Sequence, residues 1–265
     1  MDDQSDGLIF ACILDGQGGA RELSWQEVES WTPDTGVLWT HLDRSAEKVQ
    51  RWLASHLSEP AVVEGLLAEE IVKVVKSSRK GDVVVSDDEE PFRVDFDRIT
   101  SLRPAFKKDG TITAGNASTI NDGAAFLLLA GADAVQRHGL KPRARIVGLS
   151  THSLHPDLYP DAPVGAIEKA CAQAGLQPED VGLFEINEAF AAVTMIAIKD
   201  LGLDEDRVNV NGGAVAIGHP IGASGARLAT TLIHEMERRN ERYGLATLCI
   251  GGGEAVAVVF ERFES

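Results

Sequence analysis

Asn211-Gly212-Gly213-Ala214-Val215-Ala216-Ile217-Gly218-His219-Pro220-Ile221-Gly222-Ala223-Ser224-Gly225 is the stretch on which the fold of this chain turns. Its five glycines let backbone come close to a ligand, and it runs into a helix expected over residues 223–239, whose free N–H groups favour negative charge. His219 sits near that helix start as a candidate acid or base. Generic readings of the glycines fail. The spacing Gly218-x-x-x-Gly222-x-x-Gly225 is not the dinucleotide pattern G-x-G-x-x-G, and no Gly-Lys-Ser/Thr marks a nucleotide loop.

Outward from this loop, strands and helices alternate. Residues 145–150, 181–186, 208–210, 246–250 and 255–260 have the short apolar character of strands. Helices are expected over 132–138, 164–174 and 188–200, stopped by Gly139, Gly175 and Gly202. The apolar run Ala124–Leu129 reads as a strand buried on both faces. Such alternation implies an α/β fold with a mixed, mostly parallel sheet, whose last two strands are joined by three glycines as a hairpin. The helical run Ala189–Ile198 is apolar nearly all round and asks for cover on more than one side.

Two further loops stand where strands end, the usual site position in open α/β sheets. One is Asn187-Glu188-Ala189-Phe190-Ala191, where Asn187 either serves chemistry or caps the next helix. The other is Cys249-Ile250-Gly251-Gly252-Gly253, where Cys249 is either a reactive thiol or a core filler.

In this order, the three loops resemble the thiolase family, in which they appear as N-E-A-F-A, then G-G-x-x-x-x-G-H-P-x-G-x-S-G, then C-x-G-G-G. Upstream, Leu102-Arg-Pro-Ala-Phe-Lys-Lys-Asp-Gly110 and Thr113-Ala-Gly-Asn-Ala-Ser118-x-x-Asn121-Asp-Gly-Ala-Ala125 also match. The resemblance runs from about Glu69 to Ser265 and implies a thiolase-like βαβαβαββ C-terminal domain. It implies that His219 activates a nucleophile and helps bind the thioester oxygen. Cys249 resembles the second cysteine, which moves the proton on the substrate α-carbon. Asn187 resembles the residue holding an oxyanion-hole water, and the Gly251 N–H a donor of a second hole. Ser118, Ala189 and Phe190 match positions lining the pantetheine channel of coenzyme A.

Departures limit what the resemblance carries. Thiolases acylate a first cysteine in a C-x-S/G-G loop, and this sequence has none; Cys12 falls in an expected strand and Cys171 in an expected helix. Ala255 replaces the last glycine of C-x-G-G-G-x-G, and residues 154–166 lack the family's Met-Gly-x-Gly-Pro run.

The opening differs in character. Residues 1–68 hold twelve Asp/Glu against four Lys/Arg. A strand Leu8–Leu14, a glycine turn at 15–19 and a strand Val37–Leu42 are expected. Helices should follow from Ser45 and from Pro60, making a small α+β segment. Phe10-Ala-Cys-Ile-Leu-Asp-Gly-Gln-Gly-Gly and Leu38-Trp-Thr-His-Leu-Asp resemble the N-terminus of CorA/ZntB-like cation transporters. That family's Gly-Met-Asn pore motif and membrane helices do not occur in this sequence, so transport is excluded, and His41 reads as surface rather than metal ligand. The expected division is 1–68, then 69–142 as a loop region and the end of a thiolase N-terminal domain, then 143–265 as the thiolase C-terminal domain. Asp87-Asp88-Glu89-Glu90-Pro91 reads as a solvated loop.

A net charge of −16 disfavours nucleic acid and anionic membranes as partners. Three cysteines without a C-x-x-C pair suggest neither disulfides nor zinc, and no run is long enough to span a bilayer, so a cytoplasmic protein is expected. The function expected is a thiolase-family acyltransferase of the acetyl-CoA C-acetyltransferase type, acting on acyl-CoA thioesters by Claisen condensation or thiolysis. The alternative is a non-catalytic CoA-ester binding module or an inactive chimeric fragment. Coenzyme A would be substrate or product, with no cofactor and no metal. A homo-oligomer, or a complementing thiolase N-terminal half, is the expected partner.

Overall fold

The computed structural model describes residues 8–14, 20–22, 24, 26–27, 37–42, 70–86, 91 and 95–263. They fall in two compact units, Met1–Val62 and Val63–Ser265. In the first, β1 (Leu8–Leu14), β2 (Ala20–Glu22) and β3 (Val37–Leu42) form an antiparallel sheet in the order β2-β1-β3. The strands expected at 8–14 and 37–42 are both present. The helices expected from Ser45 and Pro60, the acidic loop at 87–90 and the side chain of His41 lie outside the described residues.

The second unit opens with a hairpin, β4 (Val74–Ser78) and β5 (Gly81–Val85), followed by a short helix α1 (Phe96–Ile99). The sequence pointed only to a polar stretch here. The valines of both strands and Gly81, at φ +112°, carry a hairpin signal that the surrounding charges mask. Residues 100–131 then run without a regular element to α2 (Ala132–His138). The strand expected at Ala124–Leu129 does not form. Its backbone finds no ladder partner among the described residues, and Phe126 and Leu128 are 93% and 84% exposed.

The core lies further on, in β6 (Ala144–Ser153), α3 (Ala162–Ala174), β7 (Leu183–Ile186), α4 (Ala191–Leu201), α5 (Ala214–Ile217), α6 (Ser224–Arg239), β8 (Tyr243–Ile250) and β9 (Glu254–Arg262). The sheet order is β6-β9-β8-β7. The expected glycine-linked hairpin is β8–β9, in register Leu245↔Val259 and Cys249↔Ala255. The sheet is mixed, but its parallel part is confined to β7–β8 and a bridge between Phe184 and Val208, while β6–β9 and β8–β9 are antiparallel. The third strand of the βαβαβαββ order is thus that single bridge at Val208, because a single 3-10 turn (Glu205–Arg207) and the glycine loop flank it closely.

Helices cover both faces of the sheet. Ala166, Ile167 and Ala170 of α3 and Val193 and Ala197 of α4 pack with Ala255, Ala257 and Val259 on one face. Leu228, Leu232 and Met236, four residues apart along α6, bury Leu183, Ala246 and Phe260 on the other. At Gly148 any Cβ would stand 2.2 Å from the Ala170 carbonyl oxygen, which lets α3 lie directly on β6. The apolar α4 is buried on one side through Val193, Thr194 and Ala197, but its Met195 is 67% exposed. The second layer that its composition asks for is not provided by the described residues.

Candidate active site

β7 and β8 are parallel, so their carboxyl ends share one edge of the sheet. Asn187 leaves β7 at this edge, wholly buried, and its N–H donates to the Thr247 carbonyl (3.0 Å). Cys249 lies two residues beyond Thr247 on β8, hence on the same face. Gly251 begins the exposed turn into β9, with open space where a Cβ would be.

Asn209 explains how this edge is held. At φ +48° it turns its side-chain amide onto Ile186, accepting from the Ile186 N–H and donating to the Ile186 carbonyl, both at 2.8 Å. The amide thereby replaces a missing strand beside β7. It also donates to Glu188 Oε1 (3.1 Å), whose other oxygen accepts from Val215 N–H (3.1 Å). A Cβ on Gly213 would lie 2.3 Å from the Glu188 carboxyl carbon, so the glycine loop is shaped around that carboxylate. Asn211 ties the loop's start to Glu235 of α6 (3.1 Å).

His219 closes the loop over Asn187. Its Nε2 is 3.3 Å from Asn187 Nδ2, and its Nδ1 is 2.6 Å from Ser224 Oγ. Its own N–H is shared between the Thr119 carbonyl (2.9 Å) and Asn121 Oδ1 (3.1 Å). Gly218, at φ +88°, passes so near Asn121 that a Cβ would meet the amide oxygen at 2.2 Å. Burial, and then the charge of Arg227, hold the imidazole below its usual range, so it is neutral at pH 7. Asn187 Oδ1 is buried without a partner, an acceptor facing the site.

Residues 116–121 staple two of the three loops. Ser118 N–H and Oγ both reach the Ala189 carbonyl (3.2 and 3.0 Å), Ala191 N–H donates to Asn116 (2.9 Å), and Ile120 bridges His219. Ser118, Ala189 and Phe190 are therefore neighbours, with the Ser118 hydroxyl engaged by backbone. Phe190 stacks edge-on to Phe106 (centroids 5.9 Å) and lies 6.5 Å from the Tyr159 ring. Tyr159 in turn lies near Cys249: its hydroxyl pKa is raised first by burial and then by the negative charge of Cys249 once that thiol ionises. Burial pushes the Cys249 thiol up as well, so it rests as a protonated thiol. An open cleft of about 400 Å³ lies beside His219, between residues 121–126 and 220–226.

The capping alternative for Asn187 does not hold, because α4 begins at Ala191 with Phe190 in the cap position. The edge thus gathers Asn187, His219 and the end of β8. Asn209, Glu188, Asn121 and Ser224 were not singled out by sequence; Glu188, Asn121 and Ser224 stood inside the quoted motifs and Asn209 outside them, and the partners of all four are set by the fold.

Two family models match the chain, Thiolase, C-terminal domain, over residues 140–262 and Thiolase, N-terminal domain, over residues 51–133. The chain belongs to the thiolase family. An acetyl-CoA acetyltransferase of Chromobacterium violaceum is 52% identical over 200 residues, covering 75% of this chain and 51% of that protein. One of Escherichia coli is 50% identical over 261 residues, covering 97% of this chain and 65% of that protein. Among solved structures, the Bacillus anthracis acetyl-CoA acetyltransferase superposes with a TM-score of 0.74 at 43% identity, covering 78% of this chain and 53% of that one. This thiolase-family chain spans about half the length of the first of these relatives. The N-terminal thiolase match starts at residue 51 and the Escherichia coli alignment extends over nearly all the chain. Neither lends support to the transporter likeness of residues 7–68.

Proposed function

We propose that this chain supplies the proton-transferring side of a thiolase site for acyl-CoA thioesters, of the acetyl-CoA C-acetyltransferase type. The observation that carries the reading is the contact of His219 Nε2 with the Asn187 amide at 3.3 Å, beside the β8 end that bears Cys249. A neutral imidazole takes the proton of a nucleophilic thiol and then donates it toward the oxyanion that develops on the thioester carbonyl. Cys249, resting as a thiol, gives its proton to the substrate α-carbon as the carbon–carbon bond breaks in thiolysis; in condensation the same proton returns to its sulfur. Ser118, Ala189 and Phe190 would line the pantetheine path, and the Gly251 N–H would face the second thioester oxygen.

The nucleophile has to come from elsewhere. No C-x-S/G-G loop stands in this sequence, and Cys171 is buried in α3 with its thiol pushed up to about 11. This favours, as a second reading, binding of CoA esters without turnover. The exposed Phe106, Ile120, Phe126 and Leu128 support a further copy or a complementing thiolase N-terminal half as partner.

The test is acetoacetyl-CoA mixed with CoA and the purified chain, following the enolate absorbance and, in parallel, retention of acetyl-CoA on equilibrium dialysis. Retention without turnover is expected. Turnover abolished by Cys249→Ala and His219→Ala would replace the half-site reading with a complete enzyme, and absence of both retention and turnover would contradict the proposal.

A further inference from the structure

We propose that Ser224 is a positioning residue that holds His219 with its proton on Nδ1, leaving Nε2 bare toward Asn187. Ser224 Oγ stands 2.6 Å from His219 Nδ1 and 3.0 Å from the Pro220 carbonyl oxygen. A hydroxyl has one hydrogen, and a carbonyl only accepts. With that hydrogen on the Pro220 carbonyl, which also accepts from the Ala223 and Ser224 N–H groups (2.8 and 2.9 Å), the ring nitrogen supplies the hydrogen of the shorter contact. The opposite edge of the ring makes a separate demand. Asn187 Nδ2 has only hydrogens to give, so Nε2 at 3.3 Å must accept. One tautomer satisfies both.

The geometry is rigid. Ser224 is 1% exposed and opens the sixteen-residue α6, and its N–H donates to the same Pro220 carbonyl (2.9 Å). The six residues from His219 to Ser224 close a turn pinned at both ends. A His219 held neutral by burial fits this arrangement.

The consequence rests on the functional reading above. A bare Nε2 first accepts the thiol proton of a nucleophile, and only then has a hydrogen to offer a thioester oxygen. Ser224 thus sets the order of the two tasks of His219 without touching substrate.

The experiment is long-range ¹H–¹⁵N correlation of the His219 ring in the full chain at neutral pH, in wild type, Ser224→Ala and Ser224→Thr. Wild type should show a protonated Nδ1 and a bare Nε2. Loss of one hydrogen bond in Ser224→Ala should move the tautomer ratio toward Nε2–H on the order of tenfold. Ser224→Thr, which keeps the hydroxyl, should restore the wild-type pattern, with backbone amide shifts outside the loop serving as the check on folding. A protonated Nε2 in wild type would mean that the Asn187 amide faces the other way and would overturn the proposal. So would an unchanged ratio in Ser224→Ala. If the ratio moves as expected but a thiolase site completed with a first cysteine shows no turnover even with wild-type chain, the positioning role stands and the functional reading fails; equal turnover with Ser224→Ala would overturn the part given to Ser224 in ordering the two tasks of His219.

Discussion

The strand Leu183–Ile186 and the run Ala124–Leu129 are built from similar apolar residues, yet they end in opposite surroundings. Leu183, Phe184 and Ile186 are at most 2% exposed, paired to β8 and covered by helices on both faces. Phe126, Leu128 and Leu129 are 73% exposed or more. Apolar side chains supply the drive for burial, but a strand also needs a neighbour for its N–H and C=O groups. Leu183–Ile186 has two such neighbours, β8 and the Asn209 amide. Ala124–Leu129 has none among the described residues, and most of its apolar surface stays exposed.

The sharpest way to break this contrast is truncation on each side of it. Leu232→Ala removes a side chain 1% exposed beneath the sheet and should cost about 3 kcal/mol in urea unfolding. Phe126→Ser should change stability by no more than about 0.5 kcal/mol while reducing hydrophobic-dye binding. Equal losses would show that residues 124–129 belong to the same core.

Asn209→Ala tests the amide that stands in for a strand. Leaving the Ile186 N–H and carbonyl unpaired should cost about 2 kcal/mol, and amide exchange at Ile186 should accelerate. Unchanged exchange there would mean that β7 is held without Asn209.

Glu185 lies in the buried strand, with burial raising its pKa to about 8 against the pull of Arg227. A carboxyl whose folded pKa lies above its unfolded value favours folding most at low pH. Stability should therefore decline as pH rises from the ordinary carboxyl range through about 8, and Glu185→Gln should flatten that slope. A wild-type slope of the opposite sign would show the carboxylate to be stabilised by Arg227 beyond its burial cost. The smallest effect should come from Arg143→Ala, which removes the half-exposed pair with Glu237 and should cost less than about 1 kcal/mol, again by urea unfolding.

Where local chemistry decides, the sequence was legible. Gly139, Gly175 and Gly202 all end their helices in the left-handed conformation. The β8–β9 hairpin also follows from its glycines. Where partners are distant, it was not. Nothing near Ala124 tells whether a neighbouring strand exists, and the short β4–β5 hairpin was hidden by its charged flanks. For the site, motif order gave Asn187, His219 and Cys249, but the contact between Asn187 and His219 spans 32 positions and depends on Asn209, Glu188 and Asn121 folding the loops together. Ser224 stood within the glycine loop, yet only the distances to Pro220 and His219 give its hydroxyl a task.

The most direct test of the half-site reading is complementation. The chain would be mixed with a thiolase N-terminal half that carries the first cysteine, and thiolysis of acetoacetyl-CoA by CoA measured. The account predicts turnover that neither part shows alone, abolished by His219→Ala or Cys249→Ala in this chain. A mixture that forms a complex but stays inactive, or activity indifferent to Cys249→Ala, would contradict it.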